Sequence, residues 1–490
     1  MNQDSGTAFL PRMFWLGMLL CAAASSQAQG NLPEDVSAAL RAAQIDETSI
    51  SALVVPVQAG MPRLAHFDQR PMAPASTMKL VTTLVALEEL GPVFRWRTQL
   101  LSAQPLKGDT LRGPLYLRGG GDPDLNWDGL RAMFRSLRAQ GVRKLDGDLI
   151  LDRSFFQPSR PDIGAPPFDE SPDAYYNVIP DALLLNGNLI EFTIDSGQRQ
   201  SSVRTQPPLD HVRFDAALSL DDSRCEAWDD NWDRPRTTMK ADGATTVVLR
   251  GAFPRNCKTT TRLNLLERNL YIERFLRAFW KELGGSWKGR ASDGLTAPDA
   301  HLLVERASAT LAQTLRPVNK ASDNAMARTL YLTLGTRLAV DGRSDSNLGK
   351  AEAAVRNWFA RHGIADDGLV MENGSGLSRL ERISPRQLGA LLQVGARSNW
   401  FAEYASSFPI AAIDGAMRKR LQQSPAAARA RIKTGTLRDA VSAAGYVRDI
   451  NNQDWIVVAI VNHPEAKKGR PALDALINWV AGGPDATPER

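Results

Sequence analysis

Three short motifs in this chain carry residues that can perform covalent acyl-transfer chemistry. In chain order they are Ser76-Thr77-Met78-Lys79, Ser322-Asp323-Asn324 and Lys433-Thr434-Gly435. They supply a nucleophilic hydroxyl, an amine that can accept its proton, a second hydroxyl beside an amide, and a cation for a carboxylate. Together these groups can cleave an acyl bond through a serine ester without a histidine base.

The first motif contains the candidate nucleophile and its base. Ser76 and Lys79 are three residues apart, so on a helix their side chains lie on one face. The residues that follow are mostly apolar through Leu87, which predicts a buried helix. Burial lowers the pKa of a lysine, and Lys79 is therefore expected to accept the Ser76 proton. A serine and a lysine at this spacing also occur by chance, so the prediction depends on the apolar setting.

The second motif has two interpretations. It follows Pro317 and precedes a predicted helix, so it can be a simple N-cap. In the functional interpretation, Ser322 relays a proton between the region of Lys79 and the leaving group. Asn324 would then orient Lys79 and bind a substrate amide.

The third motif lies on a predicted strand. Lys433 and Thr434 can hold a substrate carboxylate by charge and hydroxyl. Gly435 allows an extended peptide to approach the strand closely. The backbone N–H groups of Ser76 and Thr436 are expected to form an oxyanion hole.

These motifs must be positioned by two separate parts of the chain. The pattern predicts an α/β fold whose catalytic domain consists of residues 31–93 and 300–483. The first part has strand patterns at 50–57 and up to Phe67, followed by the buried helix. The second has helical spacing and then three strand-like runs, which predicts a sheet flanked by helices. Residues 94–299 are rich in short strands and turns, and they are expected to form inserted β-rich domains, in two subdomains. Helices are predicted at 309–316, 324–335 and 473–480, and strands at 431–437, 441–447 and 455–461.

Further motifs match those of one protein family. They are Pro74-Ala75-Ser76-Thr77-Met78-Lys79, Gly121-Asp122-Pro123-Asp124-Leu125, Asn373-Gly374-Ser375-Gly376-Leu377-Ser378-Arg379 and Lys433-Thr434-Gly435-Thr436. With them the chain resembles the class C low-molecular-mass penicillin-binding proteins of the D-alanyl-D-alanine carboxypeptidase/endopeptidase type. The resemblance implies a penicillin-binding, β-lactamase-like transpeptidase domain with an antiparallel sheet. It also implies that Ser76 is acylated by the penultimate D-alanine of a peptidoglycan muropeptide, and that β-lactam antibiotics inhibit the protein.

The resemblance implies two further substrate-binding residues. In this family an acidic residue of the insert and an arginine after the G-S-G-L-S motif recognise the zwitterionic end of meso-diaminopimelate. Asp152 and Arg379 are the matching positions, although Asp148 lies near the first. The alternatives are a turn residue for Asp152 and a surface ion pair for Arg379.

Three functions remain open from the sequence. The first is a serine D-Ala-D-Ala carboxypeptidase, a D-Ala-meso-diaminopimelate endopeptidase, or both, since the two activities use the same site. The second is a serine β-lactamase, which needs a water-activating group that the sequence does not identify. The third is a catalytically silent wall-binding protein of the same fold. Intact motifs favour the first.

Composition and the amino terminus limit the setting. The net charge is +5 without a basic run, so nucleic-acid binding is not expected. Residues 1–28 have the pattern of a secretory signal peptide, which predicts a periplasmic protein with at most loose membrane association. Cys225 and Cys257 then form a disulfide or remain two buried thiols. The histidines show no metal spacing, so neither a metal nor another cofactor is expected, and the oligomeric state stays open.

Overall fold

The computed structural model describes residues 30–58, 60–338 and 345–483, so the predicted signal peptide lies outside the described residues. These ranges contain ten α-helices: α1 (Glu34–Ala42), α2 (Lys79–Leu90), α3 (Trp127–Ala139), α4 (Arg268–Glu282), α5 (Leu311–Lys320), α6 (Asn324–Arg337), α7 (Asn347–Arg361), α8 (Pro385–Arg397), α9 (Phe401–Ser406) and α10 (Arg470–Ala481). The strands of the described ranges are β1 (Ile50–Pro56), β2 (Leu64–His66), β3 (Arg97–Ser102), β4 (Leu106–Lys107), β5 (Thr110–Arg112), β6 (Leu115–Arg118), β7 (Lys144–Asp146), β8 (Leu149–Asp152), β9 (Ile190–Ser196), β10 (Ser201–Gln206), β11 (Val212–Asp221), β12 (Trp232–Met239), β13 (Thr245–Pro254), β14 (Lys258–Leu263), β15 (Ser286–Trp287), β16 (Ala291–Asp293), β17 (His301–Ala307), β18 (Ala430–Thr436), β19 (Ala440–Arg448) and β20 (Asp454–Asn462).

A five-stranded antiparallel sheet forms the centre of the molecule, in the order β18-β19-β20-β1-β2. Its inner strands are buried on both faces, because helices cover each side. Leu53 and Val55 pack with α2 and α8, whereas Ala52 and Val54 pack with α1 and α10. This alternation follows from the two-residue period of a strand. The predicted α/β class and the antiparallel sheet flanked by helices are confirmed.

Helix α2 passes through the core on one side of this sheet. Its residues from Lys79 to Leu87 are all buried, as the apolar sequence predicts. The helix ends at Gly91, which has a φ of 79°. A positive φ costs glycine little, and the following Pro92 cannot extend the helix.

The segment between α2 and α5 forms the other sheets. They are β16-β8-β6-β3-β17, β15-β7-β5-β4, β10-β9-β14 and β11-β13-β12. Helices α3 and α4 pack against them in one hydrophobic cluster. A disulfide joins Cys225 to Cys257 with a Cα–Cα distance of 5.3 Å. The segment is thus strand-rich, as predicted, but it also contains two long helices that the sequence analysis missed.

The division into a catalytic domain and an insert stays a prediction. Strand β17 pairs with β3, from the start of the insert. This pairing favours a return to the catalytic domain after Ala307 rather than at residue 300. None of the helices in the described part of the chain has both the length and the apolar character to cross a bilayer.

Candidate active site

The first motif forms a tight turn in front of α2. Ala75–Met78 is a 3₁₀ turn, and Ala75 has a φ of 46°. Lys79 is fully buried, and its Nζ lies 2.9 Å from Ser76 Oγ. The same amine donates to Asn324 Oδ1 and to the Ser375 carbonyl, both at 2.6 Å. A neutral amine has two N–H donors and one lone pair. With both donors engaged, the lone pair is left for the Ser76 hydroxyl.

The charge state of Lys79 favours this arrangement. The pKa of Lys79 is lowered to about 7, chiefly by burial; the charges of Asp323 and Glu381 oppose this shift, and that of Arg328 adds to it. Near neutral pH a large fraction of the amine is therefore uncharged. An uncharged amine beside a serine hydroxyl is the arrangement that a general base requires.

The second motif is both a helix cap and part of the site. Asp323, rather than Ser322, is the N-cap of α6, and it accepts a hydrogen bond from the Met326 N–H at 2.8 Å. Asn324 Nδ2 donates to the Tyr176 carbonyl at 2.9 Å. Because the amide nitrogen is occupied by this contact, the amide oxygen points to Lys79. The inserted segment thus orients Asn324 directly.

Ser322 forms its hydrogen bond with Lys433. Its Oγ accepts a hydrogen bond from Lys433 Nζ at 2.9 Å, and Lys433 also donates to the Thr434 carbonyl at 2.7 Å. Among the described hydrogen bonds, none joins Ser322 to Lys79. Burial, and then the charge of Lys79, lower the pKa of Lys433 well below its usual value.

The third motif lies on β18, at the open edge of the central sheet. The Leu437 N–H bonds to the Ala440 carbonyl of the neighbouring strand. Because antiparallel strands alternate, the Thr436 N–H points away from β19 toward the open edge. A Cβ on Gly435 would lie 2.7 Å from the Ser76 nitrogen, so β18 and the Ser76 turn are in close contact. The structure therefore brings together the three motifs, with Ser76, Lys79, Ser322, Asn324, Lys433, Thr434, Gly435 and Thr436.

Similarity to known proteins identifies the family of this chain. A family model described as D-Ala-D-Ala carboxypeptidase 3 (S13) matches residues 32–482. The chain belongs to this family. It is 28% identical over 437 residues to a D-alanyl-D-alanine carboxypeptidase of Actinomadura sp. (strain R39), covering 85% of this chain and 78% of that protein. It is 24% identical over 400 residues to D-alanyl-D-alanine carboxypeptidase DacB of Haemophilus influenzae, covering 80% of each.

A solved structure shows the same fold. The crystal structure of penicillin binding protein 4 (dacB) from Haemophilus influenzae superposes with a TM-score of 0.75 at 20% identity, covering 91% of this chain and 99% of that one. The resemblance and the fold predicted from the sequence are confirmed.

Gly435 has no room for a side chain in this family member. An added Cβ would lie 2.4 Å from Ser442 Oγ as well as 2.7 Å from the Ser76 nitrogen. Gly435→Ala is therefore expected to push β18 from the Ser76 turn, slow acylation by penicillin about 10–100-fold, and destabilise the fold by about 1–3 kcal/mol. Stopped-flow labelling and thermal melts measure both. Gly197→Ala is the control, because its Cβ meets nothing nearer than 4.0 Å. Wild-type acylation by Gly435→Ala would contradict the close packing.

Asp152 makes its hydrogen bonds within the insert. Its side chain is 3% exposed and accepts hydrogen bonds from the Ser154 N–H at 3.0 Å and from the Thr296 N–H and hydroxyl at 2.8 and 2.6 Å. A role for Asp152 in binding substrate stays a prediction. The alternative Asp148 accepts from the Arg290 N–H instead.

Arg379 is exposed at the end of β18. Its guanidinium lies 3.8 Å from Asp439, which is the surface ion pair considered as the alternative. The two residues and Leu437 line an open pocket of about 350 Å³. A role for Arg379 in binding substrate stays a prediction.

Two contributors to the site were missed in the sequence. They are the Ser375 carbonyl, which is the third partner of Lys79, and the Tyr176 carbonyl, which holds Asn324. Both are backbone atoms, so residue type carries no signal for either. The G-S-G-L-S motif identified the loop that contains Ser375 as a family motif, but it did not indicate that the Ser375 carbonyl contacts Lys79.

Proposed function

We propose that this protein is a serine D-Ala-D-Ala carboxypeptidase that acts on peptidoglycan stem peptides through an acyl-enzyme. The observation that carries the proposal is the environment of Lys79. Its two N–H donors are engaged by Asn324 and Ser375, and its remaining lone pair faces the Ser76 hydroxyl. Family membership supplies the substrate class.

In the proposed reaction, Ser76 Oγ attacks the carbonyl carbon of the penultimate D-alanine while its proton passes to Lys79. The N–H groups of Ser76 and Thr436 stabilise the negative oxygen of the tetrahedral intermediate. Collapse of the intermediate breaks the peptide bond, and the proton held by Lys79 passes to the leaving amine, directly or through Ser322, which leaves Lys79 neutral. Water then attacks the ester and gives its proton to Lys79, and Lys79 returns that proton to Ser76 Oγ as the shortened peptide is released.

Lys433 is proposed to bind the terminal carboxylate. Burial, and then the charge of Lys79, lower its pKa and so favour the neutral amine when no carboxylate is bound. A bound carboxylate stabilises the charged form and raises the pKa again, so Lys433 would take up a proton with the substrate. Thr434 adds a hydroxyl at the same edge of β18. This coupling favours substrates that end in a free carboxylate.

Cross-link cleavage uses the same chemistry. An endopeptidase substrate differs only in the group that leaves, which is then the diaminopimelate side-chain amine rather than D-alanine. We therefore propose that the protein performs either or both reactions. Penicillin would acylate Ser76 in the same way, and the disulfide and substrate favour a periplasmic location.

The proposal is tested with two substrates on the mature protein. A pentapeptide ending in D-Ala-D-Ala is expected to lose one D-alanine, whereas a D-Ala-L-Ala peptide is not. Fluorescent penicillin is expected to leave a long-lived label that is visible by intact mass. Rapid turnover of the penicillin would instead indicate a β-lactamase. Neither label nor D-alanine would indicate a silent wall-binding protein.

A further inference from the structure

A buried carboxylate lies behind the catalytic lysine. Glu381 has no exposed surface, and its two oxygens accept four backbone N–H groups. Oε1 accepts from Glu372, Asn373 and Gly374 at 3.2, 3.0 and 2.7 Å, and Oε2 accepts from Gly376 at 2.6 Å. Burial raises the pKa of Glu381, and the N–H donors act against this shift. Four N–H donors and no acceptor face the two oxygens, so these hydrogen bonds favour the carboxylate form.

The residues gathered by Glu381 form the catalytic loop, residues 372–376. Its Ser375 carbonyl accepts the Lys79 hydrogen bond at 2.6 Å, and its Gly374 carbonyl accepts from the Thr82 hydroxyl at 2.6 Å. Gly376 has a φ of 79°, and a Cβ there would lie 1.7 Å from the Ala75 carbonyl oxygen. The loop thus packs against both the base and the nucleophile turn.

We propose that Glu381 is a positioning residue for the acyl-transfer reaction. By gathering the N–H groups of the catalytic loop, it holds the Ser375 carbonyl against Lys79 and keeps the lone pair of the amine directed at Ser76. The inference rests on the proposed function and extends it, because it adds to the catalytic machinery a residue that never touches substrate.

Glu381 also acts on Lys79 through its charge. The charged groups that face Lys79 are Asp323 and Arg328 on α6, Lys433 on β18, and Glu381. Asp323 and Glu381 raise the pKa of Lys79, while burial and Arg328 lower it. Removing the Glu381 charge therefore lowers the Lys79 pKa further. Loosening of the loop alone would not shift the pKa in this direction, because access of water favours the charged amine.

The test compares Glu381→Gln with two other variants. Glutamine keeps the size, but its NH₂ group must face at least one loop N–H. Penicillin acylation at pH 8 is expected to fall at least about tenfold. The pH range over which the acylation rate of Glu381→Gln rises is expected to shift to lower pH. Glu381→Asp keeps the charge, so its acylation rate should rise over a pH range nearer to that of the wild type. Glu282→Gln is the matched control, because it makes the same change at an exposed carboxylate at the end of α4, outside the catalytic loop.

Two acylation results would overturn the proposal. One is Glu381→Gln with the wild-type rate and pH profile, and the other is an equal change in Glu282→Gln. Thermal melts show whether each variant is folded. If Glu381→Gln does not fold, Glu381→Asp is used in its place. NMR of ¹³Cε-labelled lysine in the free protein titrates Lys79 directly, and an unshifted Lys79 would also reject the proposal. If wild type and Glu282→Gln are both unlabelled by penicillin, the proposed function fails, and the lysine titration still decides the role of Glu381.

Discussion

Ser76→Ala is expected to abolish penicillin labelling and to reduce D-alanine release by at least about 10⁴-fold. The substitution removes the oxygen that would form the ester, and no other group can take its place at that point. The turn itself should persist, because Ala75 and the start of α2 are fixed by packing rather than by the Ser76 hydroxyl. Labelling with fluorescent penicillin and chromatography of released D-alanine measure the two effects.

The control for this prediction is Ser292→Ala. Ser292 is exposed on β16 in the insert, and its loss should leave both activities unchanged. Stable labelling of Ser76→Ala would show that another nucleophile carries the acyl group. Ser322 would then be the first position to examine by peptide mapping, because its hydroxyl also lies beside a lysine amine.

The catalytic pair was predictable because its signal is local. Ser76 and Lys79 are separated by one helical turn, and the apolar sequence after them already indicates burial. Strands β19 and β20 were predictable for the same reason, since each is a largely apolar run bounded by turns. At these positions the local sequence pattern and the packing in the folded protein favour the same residue types.

The positions of the supporting groups could not be predicted, because they depend on contacts between distant parts of the chain. Lys79 and Ser375 are 296 residues apart, and Asn324 and Tyr176 are 148 apart. Asp152 likewise accepts hydrogen bonds from Thr296, which is 144 residues away. Long-range contacts of this kind leave no spacing in a single sequence.

Other elements were missed although the signal was present. In α3, buried side chains recur at Leu130, Met133, Phe134 and Leu137, which is the spacing of one helical face. Asn126 caps this helix by accepting from the Gly129 N–H. The many turns around it favoured strands in the sequence analysis.

Lys79→Met is expected to slow penicillin acylation by at least about 10³-fold, since the general base is lost while an apolar side chain still fills its site. Lys107→Met, which alters an exposed lysine of the insert, is the control and should acylate normally. In the wild type the rate should rise as pH rises through about 7, because only the neutral Lys79 has a free lone pair. An unchanged acylation rate in Lys79→Met would contradict the mechanism.

The same substitution should change how stability depends on pH. The pKa of Lys79 falls from 10.5 to about 7 on folding, so between these values the unfolded chain binds the proton that the folded protein has lost. Stability contributed by this group therefore increases as pH rises across that window, since the penalty for discharging the amine shrinks. Lys79→Met has no titrating amine at this position, so it lacks this pH-dependent contribution to stability. Between pH 7 and 10, the Tm of the wild type is expected to increase relative to the Tm of Lys79→Met. A Tm difference that does not change with pH would mean that Lys79 stays charged in the folded protein.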